Sequence, residues 1–196
     1  MPADTTPHSS ASRTPRKDAT KPVEKLLNSE TLFTGPIFEV HRDTMIEPGG
    51  VRVTRDLVVH SKSVVVMPIF PDGRILLIRQ YRHAPAGFMW ELVAGRVDEG
   101  EQPLSAARRE LLEETGYSAK RFRKLLEFFP SPGFLSESMI IYAAEGLTAG
   151  QAQPEEDERI TARIITLKEA KQWIRRGKIC DAKTIAGILY YASLKR

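Results

Sequence analysis

The sequence predicts an α/β fold: a mixed sheet with helices on both faces, preceded by a small N-terminal region of antiparallel strands. Three observations carry this. Strand patterns come first, and helical patterns then follow in the order β, α, β, α. The run Ser63–Phe70 is a continuous apolar strand of the central kind. The stretch 95–117, GRVDEGEQPLSAARRELLEETGY, reads as a loop that feeds a helix.

Composition bounds the rest. At 196 residues, with 41% hydrophobic and 28% charged, the chain suits one soluble globular domain with a tail. A formal charge of +4 suits an anionic substrate, or nonspecific affinity for nucleic acid. The one cysteine, Cys180, excludes an internal disulfide, and a reducing cytoplasm is the simpler setting. No apolar run has the length of a membrane span, and the first residues lack the apolar core of a secretory signal. Ser, Thr and Arg in the tail leave organellar targeting as an alternative, against which Asp4 and Asp18 count.

Residues 1–28 are poor in hydrophobics and rich in Pro, Ser, Thr and Lys, and are expected to be a disordered or loosely attached tail. Residues 29–60 are expected to hold antiparallel strands. Phe38–Arg42 and Val51–Arg55 alternate across the turn Glu47-Pro48-Gly49-Gly50. Residues 61–196 form the main domain. There Pro71-Asp72-Gly73 turns the Ser63–Phe70 strand into a partner, Arg74–Gln80. Trp90–Ala94 leads into Gly95. After the helix come strands at Phe122–Phe129 and Glu137–Ala144, a loop over 145–158, and a last strand at Ile160–Ile165. Thr166, with Glu169 three positions on, is a capping box that starts a helix ending near Gly177. A final helix spans about Asp181–Leu194.

In the 95–117 stretch, Pro103 suits a first helical turn and Gly116 the left-handed cap. Leu104, Ala107, Leu111 and Leu112 are expected to face the core. Glu110, Glu113 and Glu114 crowd another face, where like charges at this spacing repel. A solvated acidic face balanced by Arg108 and Arg109 is the ordinary explanation. A hard divalent cation is the functional one, since Mg²⁺ prefers carboxylate oxygens. The spacing decides. Gly95, Glu101, Arg109-Glu110, Glu113-Glu114 and Gly116 match in full the Nudix box of the Nudix hydrolases. Seven positions fixed by type match by chance below about 10⁻⁸ per starting point.

The chain from Leu32 onward is similar to the ADP-ribose pyrophosphatases of that family. Glu91-Leu92-Val93-Ala94-Gly95 resembles their approach to the box, and Pro132 in Ser-Pro-Gly-Phe falls where they carry a marker proline. Glu156-Asp157-Glu158 resembles their late acidic loop, and Asp181-Ala182-Lys183-Thr184 the start of their last helix. The resemblance implies an α/β/α sandwich and hydrolysis of ADP-ribose to AMP and ribose 5-phosphate. It also implies two or more Mg²⁺ or Mn²⁺ ions. Glu110 and Glu114 are the leading metal ligands, with Glu113, Glu158, the carbonyl of Ala94 and Glu101 completing or orienting the set. Glu156 maps to the base that activates water, with Glu155 and Asp157 as competitors. Arg109 holds an acid in place rather than touching substrate. Arg82 is expected to meet the diphosphate, or else to make a surface ion pair. Glu91 is expected to accept from adenine or help hold metal. Phe134 and Tyr81, beside Pro132, are candidates for stacking. A homodimer is implied, formed through the N-terminal strands, with no membrane and no specific nucleic-acid partner. The alternatives are a pyrophosphatase of GDP-mannose or another nucleotide sugar and, in another class, an inactive ligand sensor of this fold.

Overall fold

The structure is a computed structural model and describes residues 24–152 and 160–195. Its first sheet contains β1 (Lys25–Thr34), β2 (Phe38–Ile46) and β3 (Arg52–His60), antiparallel and in that order. The turn between β2 and β3 falls at Glu47–Gly50, where Gly50 N donates to Glu47 O at 3.0 Å. β1 begins at Lys25, so residues 25–28 are strand rather than tail. Its apolar residues come in pairs, Leu26-Leu27 and Leu32-Phe33, instead of alternating. Register shifts at Leu26/Asn28 and Thr31/Phe33 interrupt the period of two, as a bulge does.

The second sheet contains β4 (Ser63–Ile69), β5 (Ile75–Arg82), β6 (Gly87–Glu91), β7 (Val93–Arg96), β8 (Tyr117–Phe128), β9 (Met139–Ala149) and β10 (Thr161–Ile165). Its path is β10-β5-β4-β9-β8. β4 and β9 are parallel and the other pairs antiparallel, so the sheet is mixed. Every residue of β4 is buried. Side chains alternate along a strand, so Val65, Met67 and Ile69 enter one core while Val64 and Val66 enter the other. Ile75 and Leu77 of β5 divide from Leu76 and Ile78 in the same way.

β4 and β5 pair only beside their turn, at Ile69 and Ile75. They then splay. β6 fills the gap against β5 and β7 fills it against β4, with Leu92 between them. β9 runs through Ala149, so residues 145–149, expected as loop, are strand paired with the start of β8.

Helix α1 (Pro103–Thr115) covers one face of the sheet; α2 (Leu167–Arg175) and α3 (Ala182–Ser193) cover the other. The helix ends follow the expected signals. Gly116 sits at φ 72° and its N–H donates to Leu112 O at 2.8 Å. The Thr166 hydroxyl accepts from Glu169 N at 3.1 Å, and the Asp181 carboxylate from Thr184 N at 2.9 Å. The core stripe of α1 needs correction. Ala106, Ala107 and Leu111 are fully buried, while Leu104 and Leu112 are 39% and 43% exposed. The two alanines let the helix lie close on Val64, Val66 and Val93, and that rotation also buries Glu114. Among the described residues no helix is long and apolar enough to cross a membrane.

Leu111→Ala is expected to cost about 2–5 kcal/mol, and Leu104→Ala under about 1 kcal/mol, in urea unfolding. Equal costs would contradict the observed rotation of α1.

Candidate active site

A cleft of about 890 Å³ is walled by β4–β7, α1 and the first turn of α3. Ala94, Arg109, Glu110, Glu113 and Arg82 of the expected set line it. Arg109 organises one wall. Its Nε and Nη2 donate to the two carboxylate oxygens of Glu101 at 3.2 and 3.0 Å. Its Nη1 donates to Glu110 at 2.7 Å and to Glu113 at 3.1 Å. Nη2 also reaches the carbonyl of Arg96 at 3.0 Å, tying the helix to β7. The hydrogen bonds from Glu101, against the cost of burial, raise the Arg109 pKa, with Glu110 and Glu113 adding to it. The same contact lowers that of Glu101. The expectation that Arg109 holds acids in place thus matches its contacts.

The backbone of β7 completes this wall. Glu114 is 5% exposed and its Oε2 accepts from Ala94 N at 3.3 Å. Glu110 lies flat against Gly95: a Cβ there would stand 1.9 Å from its Oε1. Glycine is therefore required for this carboxylate to approach the strand. The donors gathered here are carboxylate and carbonyl oxygens, which suit a hard divalent cation. Among the described residues, no three His, Cys, Asp or Glu form a ready cage. Arg109 bridges Glu110 and Glu113, so those acids would turn from it to hold an ion.

The opposite wall carries Arg82, Lys183, Tyr81 and Phe88. Tyr81 and Phe88 meet edge to face at 5.6 Å, and both are half exposed. Arg82 clasps Glu91 bidentately, Nε to Oε1 at 2.8 Å and Nη2 to Oε2 at 3.0 Å. Lys183 also donates to Oε2 of Glu91 and to Asp181 at 2.9 Å. Burial pushes the Glu91 carboxyl up, but Arg82 and Lys183 outweigh it and hold it below its usual range.

Three expected contacts are not made in this chain. Glu91 is 1% exposed and spent on Arg82 and Lys183, so it stands behind the cleft instead of facing a base or a metal. Phe134 and Pro132 lie outside the cleft, on an exposed loop that joins β3 through Val58 N to Phe134 O at 2.7 Å. Glu156 and Glu158, with Glu155 and Asp157, lie outside the described residues. Residues given no role from the sequence also line the cleft. Lys183 is one, and its position in the final helix was the only signal. Glu137 is another, buried and accepting from Ser63, with His60 Nδ1 at 3.7 Å.

The model of the NUDIX domain matches residues 59–186. The chain belongs to the Nudix family. The ADP-ribose pyrophosphatase of Mycobacterium tuberculosis is 39% identical over 83% of this Nudix chain and 80% of its own. That of Bacillus subtilis is 33% identical over 85% and 91%. A methanol dehydrogenase activator of Bacillus methanolicus is 35% identical over 85% and 91%. The crystal structure of an ADP compounds hydrolase superposes with a TM-score of 0.77 at 24% identity, covering 91% of this chain and 96% of that one. This likeness shows the Nudix fold.

Glu91→Gln is expected to destabilise this Nudix protein by about 1–3 kcal/mol at neutral pH, since it removes a charged acceptor from two cations. A carboxyl held below its unfolded pKa stabilises above that value and stops doing so as pH falls through the folded one. The gap between wild type and Glu91→Gln in urea midpoints should therefore close below about pH 4.3. A constant gap would contradict the pairing. Gly95→Ala is expected to keep the fold and displace the Glu110 carboxylate, since a flexible side-chain end yields first. A crystal structure of the variant with Glu110 unmoved would count against this.

Proposed function

We propose that this protein hydrolyses the diphosphate bond of ADP-ribose, releasing AMP and ribose 5-phosphate, with divalent cations held on the acidic face of α1. The observation that supports this most is the Arg109-centred cluster of Glu101, Glu110 and Glu113 beside Glu114, on the wall of a cleft large enough for a nucleotide sugar. The sequence likeness to ADP-ribose pyrophosphatases over most of the chain supports the substrate.

Glu110, Glu113 and Glu114, with the Ala94 carbonyl, are the proposed ligands, and Mg²⁺ or Mn²⁺, two or more ions, the proposed metals. When bound, these neutralise phosphoryl oxygens and lower the pKa of a water. Arg109 keeps like-charged carboxylates close enough to act together, and Glu101 anchors Arg109 in turn. Arg82 presents the guanidinium edge left by Glu91 to the diphosphate. Glu156 is the proposed base, on its family resemblance alone. Stacking on the base passes from Phe134 to the cleft pair Tyr81 and Phe88.

The N-terminal sheet supports a homodimer. β1 is exposed along its whole length, yet Leu26, Leu32 and Phe33 on it, with Ile37 just after, are apolar. An isolated sheet gains little without a covered face. Light scattering at micromolar concentration should give a dimer mass. A monomer with full activity would sink this part.

Turnover of a panel of nucleoside diphosphate sugars with Mg²⁺ or Mn²⁺ is the test, with products identified. ADP-ribose is expected to be the best substrate, giving AMP and ribose 5-phosphate. Preference for GDP-mannose would replace the substrate, and no turnover would favour a ligand sensor. Glu114→Gln should lower kcat by about 10³-fold or more with the melting curve little changed, in the range of a lost charge-stabilising group. Unchanged kcat would defeat the ligand assignment.

A further inference from the structure

We infer that Lys183 is the second arm of a diphosphate clamp: Arg82 and Lys183 grip adjacent phosphoryl groups, and the buried Glu91 holds the two cations side by side. This rests on the reading of the cleft as a diphosphate site.

The geometry is specific. Arg82 Nη2 and Lys183 Nζ both donate to one oxygen, Oε2 of Glu91. The two nitrogens are therefore no further apart than two hydrogen-bond lengths, a span that oxygens on neighbouring phosphoryl groups can match. Burial is graded toward the cleft. Glu91 is 1% exposed, Lys183 13% and Arg82 38%, so the acid lies behind and the cations in front. Both cations line the cleft wall and Glu91 does not.

Donors remain. An ammonium has three N–H groups, and Lys183 places two of them on Glu91 and Asp181. Arg82 uses Nε and Nη2 on Glu91, which leaves Nη1. These are the groups that an anion entering the cleft would meet.

A strut between α3 and β6 is the competing role for Lys183. That join is already made without it. The Thr184 hydroxyl accepts from Leu92 N at 2.8 Å, and Asp181 accepts from both the N–H and the hydroxyl of Thr184. Ordering a long lysine side chain costs conformational entropy. A strut needs no amino group on the wall of a cleft; a clamp does.

The test compares wild type, Lys183→Met and Lys183→Arg, each with Mg²⁺. ADP and adenosine are titrated by calorimetry, KM and kcat are measured with ADP-ribose, and melting curves check folding. Lys183→Met is expected to weaken ADP binding about 10–100-fold, as loss of a charged hydrogen bond does, while adenosine binding holds. KM should rise by a similar factor, more than kcat falls, and Lys183→Arg should recover much of both. If the Met variant does not fold, Lys183→Gln replaces it. A strut alone would lower the melting temperature and leave the ADP dissociation constant and KM as in wild type, which overturns the clamp. ADP bound no better than adenosine by wild type also overturns it. If wild type hydrolyses no nucleoside diphosphate sugar yet binds ADP in a Lys183-dependent way, the clamp stands and the proposed reaction fails.

Discussion

One guanidinium makes the acidic face of α1 possible. Glu110, Glu113 and Glu114 are neighbours on a helix and repel. Arg109 reaches Glu101, Glu110, Glu113 and the Arg96 carbonyl at once, so it offsets the repulsion and fixes α1 against β7. The supporting features follow from this. Gly95 leaves room for Glu110 on the strand, and Ala106 and Ala107 let the helix lie close. That closeness turns Glu114 inward to Ala94 N.

The second constraint is the parting of β4 and β5. Had they paired along their length, no cleft would separate Arg82 from the acids. They part after one residue pair, and β6 and β7 enter the gap. A buried carboxylate at the end of β6 then carries two cations on the far wall. The cleft thus has an acidic wall organised by an arginine and a basic wall organised by a glutamate. A divalent cation and a diphosphate suit these two walls respectively.

Local signals were legible where local chemistry decides. Pro103, Gly116, Thr166 and Asp181 mark helix ends because caps depend on residues a few positions away. The run of β4 was legible because both faces are buried. β1 was not, because its shifts of register break the alternation that marks a strand. Leu104 looked like core because it fits a helical period. Which stripe faces inward depends on the two alanines and the sheet they meet. Glu91 and Lys183 are 92 positions apart, and nothing near either announces the other. Phe134 suited a stacking role by type alone, and its loop runs along β3 instead.

The most direct measurement is Mn²⁺ binding to the full chain, followed by electron paramagnetic resonance, for wild type and for Glu110→Gln/Glu114→Gln. The account predicts saturable binding to wild type, and a large loss in the variant with its melting curve near that of wild type. Equal Mn²⁺ binding by both would contradict the claim that the acidic face of α1 is built for a cation.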